Sequence, residues 1–135
     1  MYKHVLVPIA LDHGAGTEIA LNVAELLKDV DGQITALTVI EPVPGFIANE
    51  LPPGQLERTQ TDVLVALNEE IGSHKDAKSV VVSGHPGRTI VDFAIENGAD
   101  CIVVASHKPG LADYFLGSTA ARVVRHAPCA VHVVR

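Results

Sequence analysis

Tryptophan is absent from this 135-residue chain, and aromatic residues of any kind are few, two tyrosines and three phenylalanines. A platform that stacks the bases of single-stranded nucleic acid needs more than Tyr2, Phe46, Phe93, Tyr114 and Phe115 can supply. Positive charge is scarce too. Ten Lys and Arg face sixteen Asp and Glu, for a formal net charge of −6, which excludes a general nucleic-acid partner. No apolar run reaches the roughly 18 residues of a membrane span, so no membrane partner is expected. Two cysteines cannot make a disulfide scaffold, and Met1-Tyr2-Lys3-His4 leads straight into a strand-like run without a signal-peptide pattern. A cytoplasmic location is the expectation. Gly-Lys-[Ser/Thr] and Gly-x-Ser-x-Gly do not occur, and Gly14-Ala15-Gly16 is followed by Ile19 where a dinucleotide fingerprint requires a third glycine.

What is present alternates between short β-branched runs and helical stretches. Val5 to Ile9 reads as a buried first strand, and Thr17 as the cap of a helix with Ala20, Val23, Ala24 and Leu27 inward. Asp31-Gly32 is expected to break the chain before a second strand, Ile34 to Ile40. A proline-rich loop over 41–54 precedes a helix marked by Leu56, Val63, Leu67 and Ile71. Ser79 to Val82 gives a third strand, and Gly84-His85-Pro86-Gly87 turns into a helix with Ile90, Phe93 and Ala94 inward, ending at Gly98. Cys101 to Val104 is a fourth strand. A helix with Ala120, Val123, Val124 and Ala127 on one face stops at Pro128, and Ala130 to Val134 closes as a fifth strand.

Five apolar strands alternating with four helices imply an α/β fold, a doubly wound five-stranded parallel sheet. Right-handed crossovers favour the order 3-2-1-4-5, with a ligand crevice between the loops after strands one and four. Charge is distributed to match. Residues 105–135 hold Lys108, Arg122, Arg125 and Arg135 against Asp113 alone, while the rest of the chain is acidic. Gly117-Ser118-Thr119 opens the last helix, so its free N–H groups and positive dipole end face the crevice. Two readings stand side by side: an anion site for a phosphate, with Lys108 as its neutralising partner, and plain N-capping by Ser118. Cys101 and Cys129 sit near the starts of neighbouring strands, either bonded or, as a reducing compartment favours, as two free thiols. His126, Cys129 and His132 have suggestive spacing, but 129 and 132 alternate to opposite faces of one strand, so no metal site is expected.

The runs Val5-Leu6-Val7-Pro8-Ile9, Leu37-Thr38-Val39-Ile40, Gly84-His85-Pro86 and Gly98-Ala99-Asp100-Cys101-Ile102-Val103-Val104-Ala105-Ser106 resemble those of the universal stress protein family. Leu116-Gly117-Ser118-Thr119-Ala120-Ala121-Arg122, running on through Val131, is similar to its most recognisable segment. The resemblance spans 1–135 as one domain. Nucleotide-binding members carry Gly-x2-Gly-x9-Gly-[Ser/Thr] before the last helix. Here Gly117-Ser118 is intact, while Val104 and His107, or with a loop one residue shorter Ala105 and Lys108, stand at the earlier glycines, and Gly110 shapes the turn. Ala10 occupies the place of the family's acid after the first strand, with Asp12 two residues on.

The resemblance to a subgroup with an Ala-Ser-His-[Lys/Arg]-Pro loop implies ATP as the ligand, alone or with Mg2+. Its phosphates would rest on Gly117, Ser118, Thr119 and Ala120, with Lys108 as charge partner and Ala105, Ser106 and His107 lining the loop. Its adenine would lie near Pro8, Ile9, Ala10 and Val39, with Gly84 and His85 at the rim. The implied function is an ATP-binding switch or sensor of a stress response with little or no hydrolysis. The alternative is a nucleotide-free dimeric interaction module of the same fold. Either way, the family implies a homodimer pairing Val131 to Val134 antiparallel with a second copy.

Overall fold

The structure is a computed structural model that describes residues 1–11, 14–42, 44–45, 49–106 and 116–135. Its elements in chain order are β1 (Tyr2–Pro8), α1 (Gly14–Leu27), β2 (Lys28–Ile40), α2 (Gln55–Ile71), β3 (Ala77–Ser83), α3 (Pro86–Asn97), β4 (Cys101–Ala105), α4 (Ser118–His126) and β5 (Ala130–Val134). The strands form one sheet in the order β3-β2-β1-β4-β5, and every pairing in it is parallel. The expected architecture is the observed one. No helix among the described residues is long and apolar enough to cross a membrane.

A parallel sheet must be covered on both faces, which is why its strands read as continuous apolar runs. Val5, Leu6 and Val7 of the central strand are all fully buried, yet alternation sends them to two different cores. Val5 and Val7 pack with Ala20, Leu21 and Ala24 of α1 and Leu67 and Ile71 of α2. Leu6 packs on the opposite face with Ile90 and Ala94 of α3 and Ala120 and Val123 of α4. The crossovers leaving β1 and β4 therefore lie on opposite faces of the sheet.

Several boundaries differ from the sequence expectation, each for a local reason. Helix α1 begins at Gly14, so Thr17 lies inside its first turns and is buried, not at its cap. Asp31-Gly32 does not separate two elements. Strand β2 starts directly at Lys28 and carries a bulge: Tyr2 pairs with Lys28, and the next registered pair is His4 with Gln33. Gly32 is required there, since a Cβ would sit 2.9 Å from the Tyr2 carbonyl oxygen. Val30 at the same bulge is fully exposed. Leu56 and Val124, expected inward, face solvent, and Phe93 is only partly buried. Leu21 of α1 and Val91 of α3, each next to an expected core position, are buried in addition to the expected residues Ala20, Ala24, Ile90 and Ala94.

The amino-terminal end of the sheet is clamped by polar groups. Asp100, just before β4, accepts the Lys3 and His4 backbone N–H groups at 2.9 Å each, and its own N–H donates to the His4 carbonyl. Desolvation pushes the Asp100 carboxyl upward, but those N–H bonds and the nearby His4 ring outweigh it and hold it below its ordinary value. The buried His4 ring bridges the Asn97 carbonyl (3.0 Å) and the Thr35 hydroxyl (2.7 Å), tying α3 to β2 through β1. Because the folded carboxyl titrates below the unfolded one, its contribution is complete above the unfolded value and disappears as pH falls through the folded value. Asp100→Asn keeps one acceptor and loses the other. It is expected to cost about 1 kcal/mol at neutral pH, the group being half exposed. Urea unfolding across pH should show that difference shrinking on acidification.

Candidate functional site

Strand β1 ends at Pro8 while β2 runs on to Ile40, so the carboxyl edge of the sheet is notched where the winding reverses. A cavity of about 830 Å³ occupies this notch. The end of β1 contributes Pro8, Ile9 and Ala10, and the end of β2 contributes Val39. Ala105 and Ser106 come from the end of β4, and Gly117, Ser118, Thr119 and Ala120 from the start of α4. Ten of the residues singled out from sequence thus share one concavity. Gly84 does not line it. It sits at φ 154°, a Cβ there would fall 2.2 Å from the Thr89 hydroxyl, and its N–H donates to the Ile40 carbonyl at 2.9 Å. Asp12, His107, Lys108 and Gly110 lie outside the described residues.

The floor of the notch is held by a short hydrogen-bond relay. Ile9 N–H donates to the Leu37 carbonyl (2.8 Å), and the Thr38 hydroxyl donates to the Ile9 carbonyl (3.0 Å), so the first turn beyond β1 is fixed to β2. The backbone of Leu37 therefore faces β1. That of Ile40 faces the other way, since its carbonyl accepts from Gly84. By strand alternation the N–H and C=O of Val39 point toward β1 at a level where β1 has already ended. One donor and one acceptor consequently face the notch, beside the half-buried Val39 side chain.

The opposite wall is the N-terminus of α4. Gly117, not Ser118, is the N-cap residue, and no side chain caps the helix. Ser118, Thr119 and Ala120 supply the first-turn N–H groups, which have no acceptor within the helix, while the Ala121 N–H already reaches the Gly117 carbonyl at 2.8 Å. Arg125 and His126 in the last turn favour the same dipole from its other end. Buried Ser106 positions the wall. Its N–H donates to the Val134 carbonyl (2.7 Å), and its hydroxyl oxygen accepts from Gly117 N–H (2.8 Å). One residue just beyond β4 thus links β5, through its backbone, and the start of α4, through its hydroxyl.

Sequence reasoning missed Leu11, Gly16, Thr17, Thr38, Ile40, Glu41, Val63, Pro86 and Ile90, which also line the cavity. Thr38, Ile40 and Glu41 were accessible in principle, since they flank Val39 at a strand end. Val63 has no local signal, because it reaches the cavity only through the packing of α2. Gly16 is placed by close approach: a Cβ there would lie 3.1 Å from Ala105 Cβ, so α1 and β4 meet at the cavity wall.

The family model described as "Universal stress protein family" matches residues 1–135. The chain belongs to the universal stress protein family. Universal stress protein G of Salmonella typhimurium is 30% identical over 151 residues, covering 100% of both chains. The universal stress protein of Methanothermobacter thermautotrophicus is 25% identical over 143 residues, covering 100% of this chain and 97% of that one. The solved structure of hypothetical protein MJ0577 aligns with a TM-score of 0.80 at 26% identity, over 99% of this chain and 96% of that one. A universal stress protein in complex with cAMP aligns at TM-score 0.69 and 20% identity, covering 99% and 97%. The protein from Archaeoglobus fulgidus in complex with dAMP aligns at 0.58 and 20%, covering 99% and 98%. The last two share the fold of this universal stress protein.

The cysteines are free thiols. Cys101 packs into the core beneath α1, whereas Cys129 packs on the face beneath α3 and α4, so a bond between them is precluded by the sheet itself. Burial pushes the Cys101 thiol up to about 11, with Cys129 and Asp100 adding to the effect. Burial and Asp100 raise Cys129 as well. Neither thiol is activated as a nucleophile. The positioning role of Ser106 is open to a direct check. Ser106→Ala removes the acceptor of the Gly117 N–H and is expected to cost about 1–2 kcal/mol. Hydrogen exchange should show the protection loss concentrated at Gly117 and the first turn of α4.

Proposed function

We propose that this universal stress protein binds an adenine nucleotide, ATP, in the notch at the carboxyl edge of the sheet, and serves as a switch or sensor with little or no hydrolysis. The observation that carries the reading is the pairing of two features across one cavity: an uncapped α4 N-terminus on one wall and the outward-facing Val39 backbone beside apolar side chains on the other. The first suits an anion, and the second suits a flat base that pairs with one donor and one acceptor. Complexes of fold relatives with cAMP and dAMP support the same class of ligand. No acid or base among the described lining residues stands beside the proposed phosphate position, which is why hydrolysis is expected to be slow.

Ser118 is the first residue of α4 and is exposed. Ser118→Glu places a carboxylate where the helix dipole welcomes it and where a phosphate would sit. The variant is expected to gain roughly 0.3–1 kcal/mol of stability while losing at least about tenfold in ATP affinity. Calorimetry and thermal melts measure the two effects together. Unchanged affinity in a stabilised variant would remove the phosphate from α4, and wild-type protein giving no heat with millimolar ATP would leave the nucleotide-free module as the function.

The homodimer belongs to the same proposal. Ser106 N–H bonds the Val134 carbonyl, so Val134 and His132 turn their backbone groups to β4, and Val131 and Val133 turn theirs to the open edge. Such an edge, rich in valine, favours pairing with a second copy. Val133→Pro removes an edge N–H and leaves the pairing with β4 intact. Light scattering at micromolar concentration is expected to give a dimer for wild type and a monomer for the variant. A wild-type monomer would sink the dimer.

A further inference from the structure

Glu41 holds the one ionisable side chain that lines the cavity among the described residues. Its place along the sheet decides what it meets, given the nucleotide reading above, on which this inference rests. Strands β2, β1 and β4 are consecutive neighbours, so the end of β2 lies about 10 Å across the sheet from the end of β4. A phosphate on the first turn of α4, which follows β4, puts the sugar over the end of β1 and the base over the end of β2. Glu41 therefore faces the base and not the sugar or the phosphates.

The groups around it narrow the chemistry. The Ile40 carbonyl is taken by Gly84 N–H, and the Thr38 hydroxyl proton is given to the Ile9 carbonyl. Leu37 and Val63 are apolar. The Val39 N–H and C=O and the Glu41 carboxylate then offer one donor and two acceptors at the base end, with the Thr38 hydroxyl oxygen able only to accept. An ionised carboxylate only accepts. The 6-amino group of adenine carries two hydrogens and a ring nitrogen beside it, which answers two acceptors and one donor. A 6-oxo purine puts a carbonyl oxygen where the amino group would be and an N1–H where the ring acceptor would be, so acceptor meets acceptor and donor meets donor.

We propose that Glu41 determines base choice, selecting 6-amino over 6-oxo purines by accepting the amino hydrogen that Val39 does not. Its side chain is exposed at the cavity mouth, so its removal leaves both cores untouched. The test is calorimetric titration of wild type, Glu41→Ala and Glu41→Gln with ATP and with inosine triphosphate. Wild type is expected to prefer ATP by about tenfold or more, the scale of one charge-assisted hydrogen bond at an exposed position. Glu41→Ala should lower that preference by about tenfold, mostly through weaker ATP binding. Glu41→Gln should lower it also by strengthening inosine triphosphate, because an amide can donate to the 6-oxo group. A preference unchanged in both variants, or absent from wild type that binds ATP, overturns the assignment to Glu41 alone. Wild type that binds neither nucleotide overturns the proposed function and this assignment with it.

Discussion

Everything at the carboxyl edge depends on where the central strand stops. Strand β1 ends at Pro8, paired with Leu37, while β2 continues to Ile40. Because Ile9 N–H still bonds the Leu37 carbonyl, alternation turns the Pro8 nitrogen toward β4, where the missing N–H cannot extend the ladder that is registered through Leu6 and Ile102. The early end of β1 turns a flat sheet edge into a notch, with the backbone of Val39 facing it beside Ile9 and Ala10. The crossovers sharpen it. Because α1 covers one face and α4 the other, the chain diverges on either side of the notch and neither helix closes it. The site is thus a by-product of doubly wound topology, made specific by the length of one strand.

The walls of such a notch have to be rigid to be useful, and two buried hydroxyls provide that. The Thr38 hydroxyl donates to the Ile9 carbonyl just beyond β1, and the Ser106 hydroxyl, just beyond β4, accepts the N–H of Gly117 at the start of α4. At the other end of the sheet His4 and Asp100 do the corresponding work for β1, β2, α3 and β4. Buried polar side chains are few in this core, and three of them, His4, Thr38 and Ser106, sit near strand ends. At the centre of the sheet the backbone groups are consumed by the parallel ladders, and the buried Thr35 hydroxyl there is satisfied by His4.

How much of this was legible in the sequence follows from the range of each interaction. Strand order and the two-faced core were readable because burial on both faces writes itself locally, in Val5-Leu6-Val7 and Cys101 to Val104. The helix N-terminus on the cavity wall was readable because Gly117-Ser118-Thr119 opens a helix wherever that helix packs, although the cap proved to be Gly117 and not Ser118. Gly32 misled because a glycine required by close approach to Tyr2 has the same signature as one that ends an element. Val63 and Gly16 were invisible, being brought to the cavity by the packing of helices against a sheet whose dimensions no short window contains. Val124 failed for a similar reason: on a nine-residue helix the buried stripe is narrow, and it takes Ala120 and Val123 but not the next position.

The charge of the chain acquires a different meaning in this light. An acidic protein of net charge −6 repels long polyanions at Debye-length range, yet a short anion seated within a few ångströms of a helix N-terminus responds to that terminus first, because the dipole's effect falls off within a turn. Among the described residues no Lys, Arg or His lines the cavity, and its single carboxylate, Glu41, stands at the far end, just beyond β2. The separation matters: Glu41 near α4 would cancel the half-charge that attracts a phosphate, whereas at the end of β2 it leaves that attraction intact. Polarity thus runs along the notch, positive at α4 and negative at β2, and a ligand with an anionic end and a hydrogen-donating end can lie in it in only one direction. Orientation of this kind costs no additional contacts, since it is set by which strand ends carry the helix and which carries the acid.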